Sequence, residues 1–266
     1  LTSRAFFNDV LGEFEEYITG YFKYDKVLPM NTGAEAVETA LKLARKWGYE
    51  RKGIPRDQAR IIVCEGNFHG RTISIVSAST DPDSRKGFGP YTPGFDVIPY
   101  DNIPALQRAL EHPHVAAFMV EPIQGEAGVM VPHAGYLKEA FEACKARNVL
   151  FMADEVQTGI GRTGSWFAYQ GLGVRPDAIA LAKGLGSGFA IGAMLCGPLE
   201  DGFAIGDHGT TFGGSPAIAA AALAVLDAIE REGLLENART TGDLLARRLA
   251  DVPGVASVRG SGLLRG

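Results

Sequence analysis

The feature that most constrains the fold is an alternation between short apolar runs and longer segments with helical periodicity. The runs are rich in Val, Ile and Ala, and we interpret them as strands over residues 60–64, 96–98, 115–120, 149–153, 178–182 and 193–196. Strands that are buried on both faces appear as continuous apolar runs, and parallel strands need connections that are usually helices. The sequence therefore predicts an α/β fold with a mostly parallel central sheet and helices on both faces.

The connecting segments carry the expected helical signals. Helices are predicted over residues 9–21, 104–111, 135–147, 216–231 and 233–250. The strongest signal is "NTGAEAVETALKLARKW", where Val37, Leu41 and Ala44 recur at helical spacing. Thr32 and Glu35 form a T-x-x-E capping box ahead of this run, which predicts that the helix begins there.

Composition restricts the class of protein. The chain has 266 residues, is 46% hydrophobic and carries a formal net charge of −5, which favours a globular fold and argues against a nucleic-acid surface. Its 3 cysteines, Cys64, Cys144 and Cys196, are far apart, so neither a disulfide framework nor a metal cluster is predicted, and a cytoplasmic location is expected. The apolar run at 217–226 is shorter than the roughly 20 residues that span a membrane.

The chain has no internal repeat or low-complexity linker, which favours one main domain. It opens on "LTSRAFF" without an initiator Met and closes on "VRGSGLLRG", where an apolar segment has just begun. We therefore expect the sequence to be part of a longer protein.

Two charged residues follow neighbouring apolar runs and carry the chemistry. Ligands of such sheets bind beyond the carboxyl ends of the strands, where Asp154 and Lys183 are expected to face one crevice. A partly desolvated lysine is a nucleophile toward an aldehyde. An aspartate at a strand end needs a cationic or donor partner, either a metal or a protonated pyridine nitrogen, although a purely structural carboxylate is equally compatible with the position.

Three further features complete a pattern. Thr32, Gly33 and Ala34 at the start of the capped helix offer N–H groups to a phosphate, although an ordinary capped helix has the same sequence. In "GNFHGRT", Phe68 is suited to stack on a flat ligand and Arg71 to bind a carboxylate. Lysine, acid, phosphate site and aromatic residue together are what pyridoxal phosphate requires.

A competing motif points to dinucleotides. Gly159, Gly161 and Gly164 satisfy G-x-G-x-x-G, but the following "SWFAYQGLG" lacks the helical period that this motif requires. We therefore reject a dinucleotide site.

With these residues identified, the chain resembles the class III pyridoxal-phosphate aminotransferases of fold type I. "ADEVQTGIGRTG", "LAKGLGSG" and "HGTTFGG" carry the resemblance, and the first 36 residues with "GFGPYTPGFDVIPY" resemble the ornithine δ-aminotransferases in particular. The resemblance implies that Lys183 binds the cofactor covalently and moves protons, that Asp154 keeps the pyridine nitrogen protonated, and that Gln157 bonds the phenolic oxygen. It also implies stacking by Phe68 and phosphate binding by Thr32, Gly33 and Ala34.

The same resemblance implies a substrate site and a partner. Arg71, Glu121 and Glu126 are expected to bind the amino-acid and 2-oxo-acid substrates. Thr211 is expected to reach the phosphate of a neighbouring subunit, which implies a homodimer. Residues 1–252 would form the cofactor domain and residues 253–266 the start of a second, smaller one.

The resemblance implies transfer of the δ-amino group of ornithine to 2-oxoglutarate, with no nucleic-acid or membrane partner. Two alternatives remain open at this point. One is acetylornithine as the amine donor, and the other is a chain that binds the cofactor with little or no turnover.

Overall fold

The central sheet sits between two layers of helices. A computed structural model describes residues 8–199 and 202–266. Within these residues, seven strands form one sheet in the order β1-β7-β6-β5-β4-β2-β3. The strands are β1 (Lys26–Met30), β2 (Arg60–Cys64), β3 (Phe95–Ile98), β4 (Val115–Val120), β5 (Leu150–Asp154), β6 (Ala178–Leu181) and β7 (Gly192–Cys196).

The middle of the sheet is parallel, as predicted. β3, β2, β4, β5 and β6 pair in parallel, whereas β7 runs antiparallel to both β6 and β1. Every residue of β4, β5 and β6 is buried, which explains their unbroken apolar sequences. The sequence reasoning missed β1, because "KVLPM" contains a proline, a residue that sheets accept chiefly at their edges.

The helices agree closely with the predicted segments. They are α1 (Asp9–Phe22), α2 (Gly33–Glu50), α3 (Ile73–Ala78), α4 (Pro82–Arg85), α5 (Ile103–Ala109), α6 (Tyr136–Ala146), α7 (Pro216–Arg231) and α8 (Leu234–Ala250). The short helices α3 and α4 were not predicted, because four to six residues are too few to show a helical period. A two-stranded hairpin, β8 (Gly260–Ser261) and β9 (Leu264–Arg265), was also missed, because two residues are too few to show the alternation of a strand.

The core lies on both faces of the sheet. On one face, α2 buries Val37 and Leu41 against Ile61 of β2 and Met119 of β4. On the other face, residues of α1, α5, α6 and α7 pack against the same strands, with Phe118 of β4 among them. This arrangement leaves the carboxyl ends of β4, β5 and β6 open at one edge, next to the beginning of α2.

Several sequence interpretations are settled by this architecture. No helix begins among Gly159, Gly161 and Gly164, as expected from the lack of a helical period after them. Cys64, Cys144 and Cys196 are buried free thiols. No helix in residues 8–199 and 202–266 combines the length and apolarity needed to cross a membrane. The division of the chain at residue 252 stays a prediction, and the "LTSRAFF" opening lies outside the described residues.

Candidate active site

A cavity of about 320 Å³ opens at the carboxyl edge of the sheet. This volume lies in the range of small-molecule sites, about 300–1,000 Å³. Its walls come from the residues that follow β1, β2, β4, β5 and β6. They include nine of the predicted site residues: Thr32, Gly33, Ala34, Phe68, Glu121, Glu126, Asp154, Gln157 and Lys183.

The start of α2 forms one wall of this cavity. The capping box is present: Glu35 N–H donates to Thr32 Oγ1 and Thr32 N–H donates to Glu35 Oε2, both at 3.1 Å. The N–H groups of Gly33 and Ala34, the first two helical residues, have no acceptor within the helix. A Cβ at Gly192 would overlap Thr32 O, so glycine at the start of β7 lets the capping loop approach the sheet. The geometry leaves an anion-binding helix end facing the cavity.

Asp154 forms a buried pair with a histidine that sequence reasoning did not select. Its Oδ2 lies 2.7 Å from His69 Nδ1, and its Oδ1 accepts from Val156 N–H at 3.0 Å. The two side chains are only 4% and 3% exposed. Burial opposes charge on the imidazole, but the hydrogen bond and charge of Asp154 outweigh it and raise the pKa of His69. The position of His69 directly after Phe68 in "GNFHGRT" was the only available signal.

Glu121 lies just beyond β4 and completes the buried cluster. It is 7% exposed and accepts a hydrogen bond from Phe68 N–H at 3.0 Å. Burial raises its pKa to about 7, with the nearby His69 acting in the opposite direction. Glu121 therefore fixes the backbone that carries Phe68 as well as lining the cavity.

Lys183 follows β6 at the mouth of the cavity. Its backbone adopts φ 32°, a left-handed conformation that is unfavourable for a residue with a side chain and that concentrates at functional sites. We expected a partly desolvated lysine, but the structure leaves this side chain exposed, because the cavity is open on this side. Lys183 and Asp154 do line the same crevice, as predicted.

Gln157 and Glu126 contact each other across the cavity. Gln157 Nε2 donates to Glu126 Oε1 at 3.0 Å. Because a carboxylate only accepts hydrogen bonds, this contact orients the Gln157 amide with its NH2 group toward Glu126. A Cβ at Gly125 would overlap Gln157 Oε1, so glycine is needed there for the amide to occupy this position.

The remaining two predicted residues lie outside the cavity wall. Arg71 is exposed, and its guanidinium carbon lies 5.6 Å from the centre of the Phe68 ring. Thr211 is exposed on the segment between β7 and α7 and does not line the cavity of its own chain.

Glu155, beside Asp154, points away from the cavity and braces the loop that follows. It is 1% exposed and accepts from Thr158 Oγ1 and from the N–H groups of Ala168 and Tyr169, the latter two at 3.1 Å. Burial raises its pKa to about 7, although these hydrogen bonds favour the charged form. Consecutive residues at a strand end point to opposite sides, which explains why Glu155 faces away from Asp154, but the sequence contained no signal for this brace.

Comparison with known proteins identifies the family of the chain. The sequence profile Aminotransferase class-III matches residues 1–266. The chain is 55% identical over 271 residues to the mitochondrial ornithine aminotransferase of Rattus norvegicus, covering 99% of this chain and 61% of that protein. It therefore spans about three fifths of the length of this relative.

Solved structures agree. An ornithine aminotransferase from Toxoplasma gondii, with partial occupancy of PLP at its active site, superposes with a TM-score of 0.95 at 48% identity, covering 100% of this chain and 64% of that one. The acetylornithine aminotransferase of Elizabethkingia anophelis gives a TM-score of 0.88 at 52% identity, covering 100% and 66%. The chain belongs to the class-III aminotransferase family.

Proposed function

We propose that this chain binds pyridoxal phosphate in the cavity at the carboxyl edge of the sheet and attaches it covalently through Lys183. The observation that carries the proposal is the convergence of three groups on one space. These are the Lys183 amine, the buried Asp154–His69 pair and the free N–H groups of the first two residues of α2. The cofactor requires an amine for its aldehyde, an anion for its pyridine nitrogen and a site for its phosphate. The residues present therefore fit the group.

Each residue has a distinct task in this proposal. Thr32, Gly33 and Ala34 would hold the phosphate, and Phe68 would stack on the ring. Gln157 would donate a hydrogen bond to the phenolic oxygen from Nε2, the amide nitrogen that also contacts Glu126.

Asp154 would hold a proton on the ring nitrogen. Its orientation is fixed by His69 on one oxygen and by Val156 N–H on the other. The bound cofactor supplies an electron-withdrawing ring that stabilises negative charge on a substrate carbon. Once the substrate amine had displaced it from the cofactor, Lys183 Nζ would be free to take the proton from that carbon and later to give it back, because it is the amine that lines the cavity.

The substrates follow from the relatives rather than from the cavity alone. We propose transfer of the δ-amino group of ornithine to 2-oxoglutarate; in support, the rat and Toxoplasma gondii relatives are named ornithine aminotransferases. Arg71 would bind a substrate carboxylate, Glu126 would act in selecting the reacting amine, and Glu121 would line the substrate pocket. Acetylornithine is the second candidate donor, since the Elizabethkingia anophelis enzyme is 52% identical.

A homodimer is part of the same proposal. Thr211 would complete the phosphate site of a second copy of the chain. Its neighbour Phe212 is 63% exposed, and Phe189 at the cavity is 62% exposed, as expected for side chains that a second copy covers. The cytoplasmic location stays a prediction.

Covalent binding is tested by intact mass. After incubation with pyridoxal phosphate and reduction with borohydride, the wild-type chain is expected to gain one cofactor mass, and Lys183→Ala to gain none. Lys138→Ala is the matched control, because Lys138 is an exposed lysine on α6, away from this cavity. An adduct that persists in Lys183→Ala would refute the site, and Lys138→Ala should keep the adduct of the wild type.

Turnover is tested separately. Glutamate formation from ornithine and 2-oxoglutarate is expected in the wild type and Lys138→Ala and absent in Lys183→Ala. Faster turnover with acetylornithine would favour the alternative donor. A cofactor adduct without turnover on either donor would leave binding as the function of this chain.

A further inference from the structure

The segment before Thr211 lies along one side of α2. We call residues 207–210 the clasp segment. Asp207 forms an ion pair with Lys46, and Asn31 Nδ2 donates to Thr210 Oγ1 at 2.7 Å. The segment thus runs antiparallel to the helix, from near its carboxyl end to the capping loop at its beginning.

His208 occupies the middle of this contact. Its Nε2 lies 2.8 Å from Thr39 Oγ1 and its Nδ1 lies 2.9 Å from Lys42 Nζ. The Phe203 ring stacks on the imidazole at a centroid distance of 5.5 Å. Thr39 and Lys42 are one helical turn apart on α2, so the ring bridges two positions on one side of the helix.

The hydrogen-bond roles in this contact follow from donor chemistry. A lysine ammonium only donates, so His208 Nδ1 must accept from Lys42. The ring proton is therefore on Nε2 and is donated to Thr39 Oγ1. Thr39 in turn donates its hydroxyl proton to Glu35 O at 2.7 Å. This chain of bonds requires neutral His208, because a second ring proton on Nδ1 would face the Lys42 ammonium.

The surrounding charges favour the neutral ring. Burial and the charge of Lys42 lower the pKa of His208, against the opposing effect of Glu35 and Glu38 on the same helix. Lys46 and Asp207 beside the ring neutralise each other. A histidine with a lowered pKa contributes stability that is present above its ordinary pKa of about 6.5 and lost as pH falls through the lowered value.

We propose that His208, as the Nε2–H tautomer, is a positioning residue that fixes the clasp segment on α2 and thereby holds the exposed Thr211 in place for the phosphate of a second copy. The second part rests on the proposed function of Thr211. The first part stands on the contacts with Thr39 and Lys42 alone. The helix α2 would then have two roles. Its beginning would bind the phosphate of its own chain, and its side would support Thr211, which contacts the phosphate of the other chain.

The first experiment addresses the clasp without cofactor. Nitrogen NMR of the histidine rings at pH 7.5 is expected to show the proton of His208 on Nε2. Amide hydrogen exchange of peptides covering residues 203–214 is expected to be at least about 10-fold faster in His208→Ala and in Thr39→Val. Thr39→Val keeps the shape of the buried side chain but removes the acceptor. His112→Ala, at an exposed histidine whose ring contacts His114 and not the clasp segment, should leave the exchange unchanged.

Lowering the pH provides a further readout. After correction for the intrinsic pH dependence of exchange, the wild-type segment should approach the His208→Ala rate as pH falls well below the ordinary histidine pKa of about 6.5. A proton on Nδ1, unchanged exchange in both variants, or a pH-independent ratio would overturn the proposal.

The second experiment tests the link to the cofactor. The affinity of the dimer for pyridoxal phosphate is expected to fall about 10-fold in Thr211→Ala and similarly in His208→Ala, with no further loss in the double variant. Fully additive losses would overturn the link between the two residues. An unchanged affinity in Thr211→Ala would refute the proposed function of Thr211, while the exchange data still decide the role of His208.

Discussion

Two regions of the molecule position polar side chains, and they differ in exposure to solvent. One is the buried cluster at the ends of β4 and β5, and the other is the clasp segment on α2. Asp154, Glu121 and Glu155 are at most 7% exposed, and each carboxylate has protein hydrogen-bond partners. In the clasp, the side chains of Lys46 and Asp207 are 21% and 33% exposed. A buried group that loses its partner keeps the full desolvation penalty, whereas water replaces a lost partner at the surface. Substitutions in the two regions should therefore differ in the size and reach of their effects.

The largest effect is expected at Asp154. Asp154→Asn retains the size of the side chain but removes the charge that would hold a proton on the cofactor nitrogen. Turnover should fall about 1,000-fold, or about 4 kcal/mol of transition-state stabilisation, while the borohydride-fixed mass adduct persists. Steady-state rates and intact mass measure the two quantities. Turnover within about threefold of the wild type would show that the buried charge has no part in the chemistry.

Glu155 should show the next largest effect, on stability. Glu155→Ala leaves the N–H groups of Ala168 and Tyr169 without their acceptor in the core. We expect the free energy of unfolding to fall by about 3 kcal/mol, measured by urea denaturation. Glu139→Ala on the exposed side of α6 is the control and should change little. A loss as small as that of the control would mean that the brace does not stabilise the fold.

Glu121 should make stability depend on pH. Its pKa is about 7 in the fold and about 4.5 in the unfolded chain, so the folded state binds more protons between these values. The free energy of unfolding therefore falls as pH rises through this window, and Glu121→Gln lacks this contribution. Between pH 5 and pH 8, the wild type should lose about 2 kcal/mol relative to Glu121→Gln in the cofactor-free state. Parallel pH profiles for the two proteins would contradict the burial effect.

The same contrast explains what could be predicted from the sequence. Lys183, Asp154 and the start of α2 were predictable, because each follows an apolar run or a capping box that indicates where an element begins or ends. The parallel middle of the sheet was predictable for the same reason. These features are local, and the rule that ligands bind at the carboxyl edge brought them together.

Features that depend on contacts between distant segments were not predictable. His69 and Asp154 are 85 positions apart in the sequence and meet only because β5 and the loop after β2 end at the same edge. The contact of His208 with Thr39 spans 169 positions, and the glycine-rich stretch around His208 indicates only a turn. The edge strand β1 was missed because its proline contradicts the usual preference of strands, and only its place at the sheet edge makes the proline acceptable.

The smallest effect is expected at Lys46, and it sharpens the comparison. Lys46→Met removes the ion pair with Asp207 and a weaker contact with Glu50 at 3.6 Å, but both partners remain in water. The urea midpoint should stay within error of the wild type, while hydrogen exchange of residues 203–214 rises less than in His208→Ala, because His208 still bridges Thr39 and Lys42. A fall in the urea midpoint comparable to that of Glu155→Ala would show that the clasp is part of the cooperative core. The distinction drawn between a buried cluster and a surface contact would then be wrong.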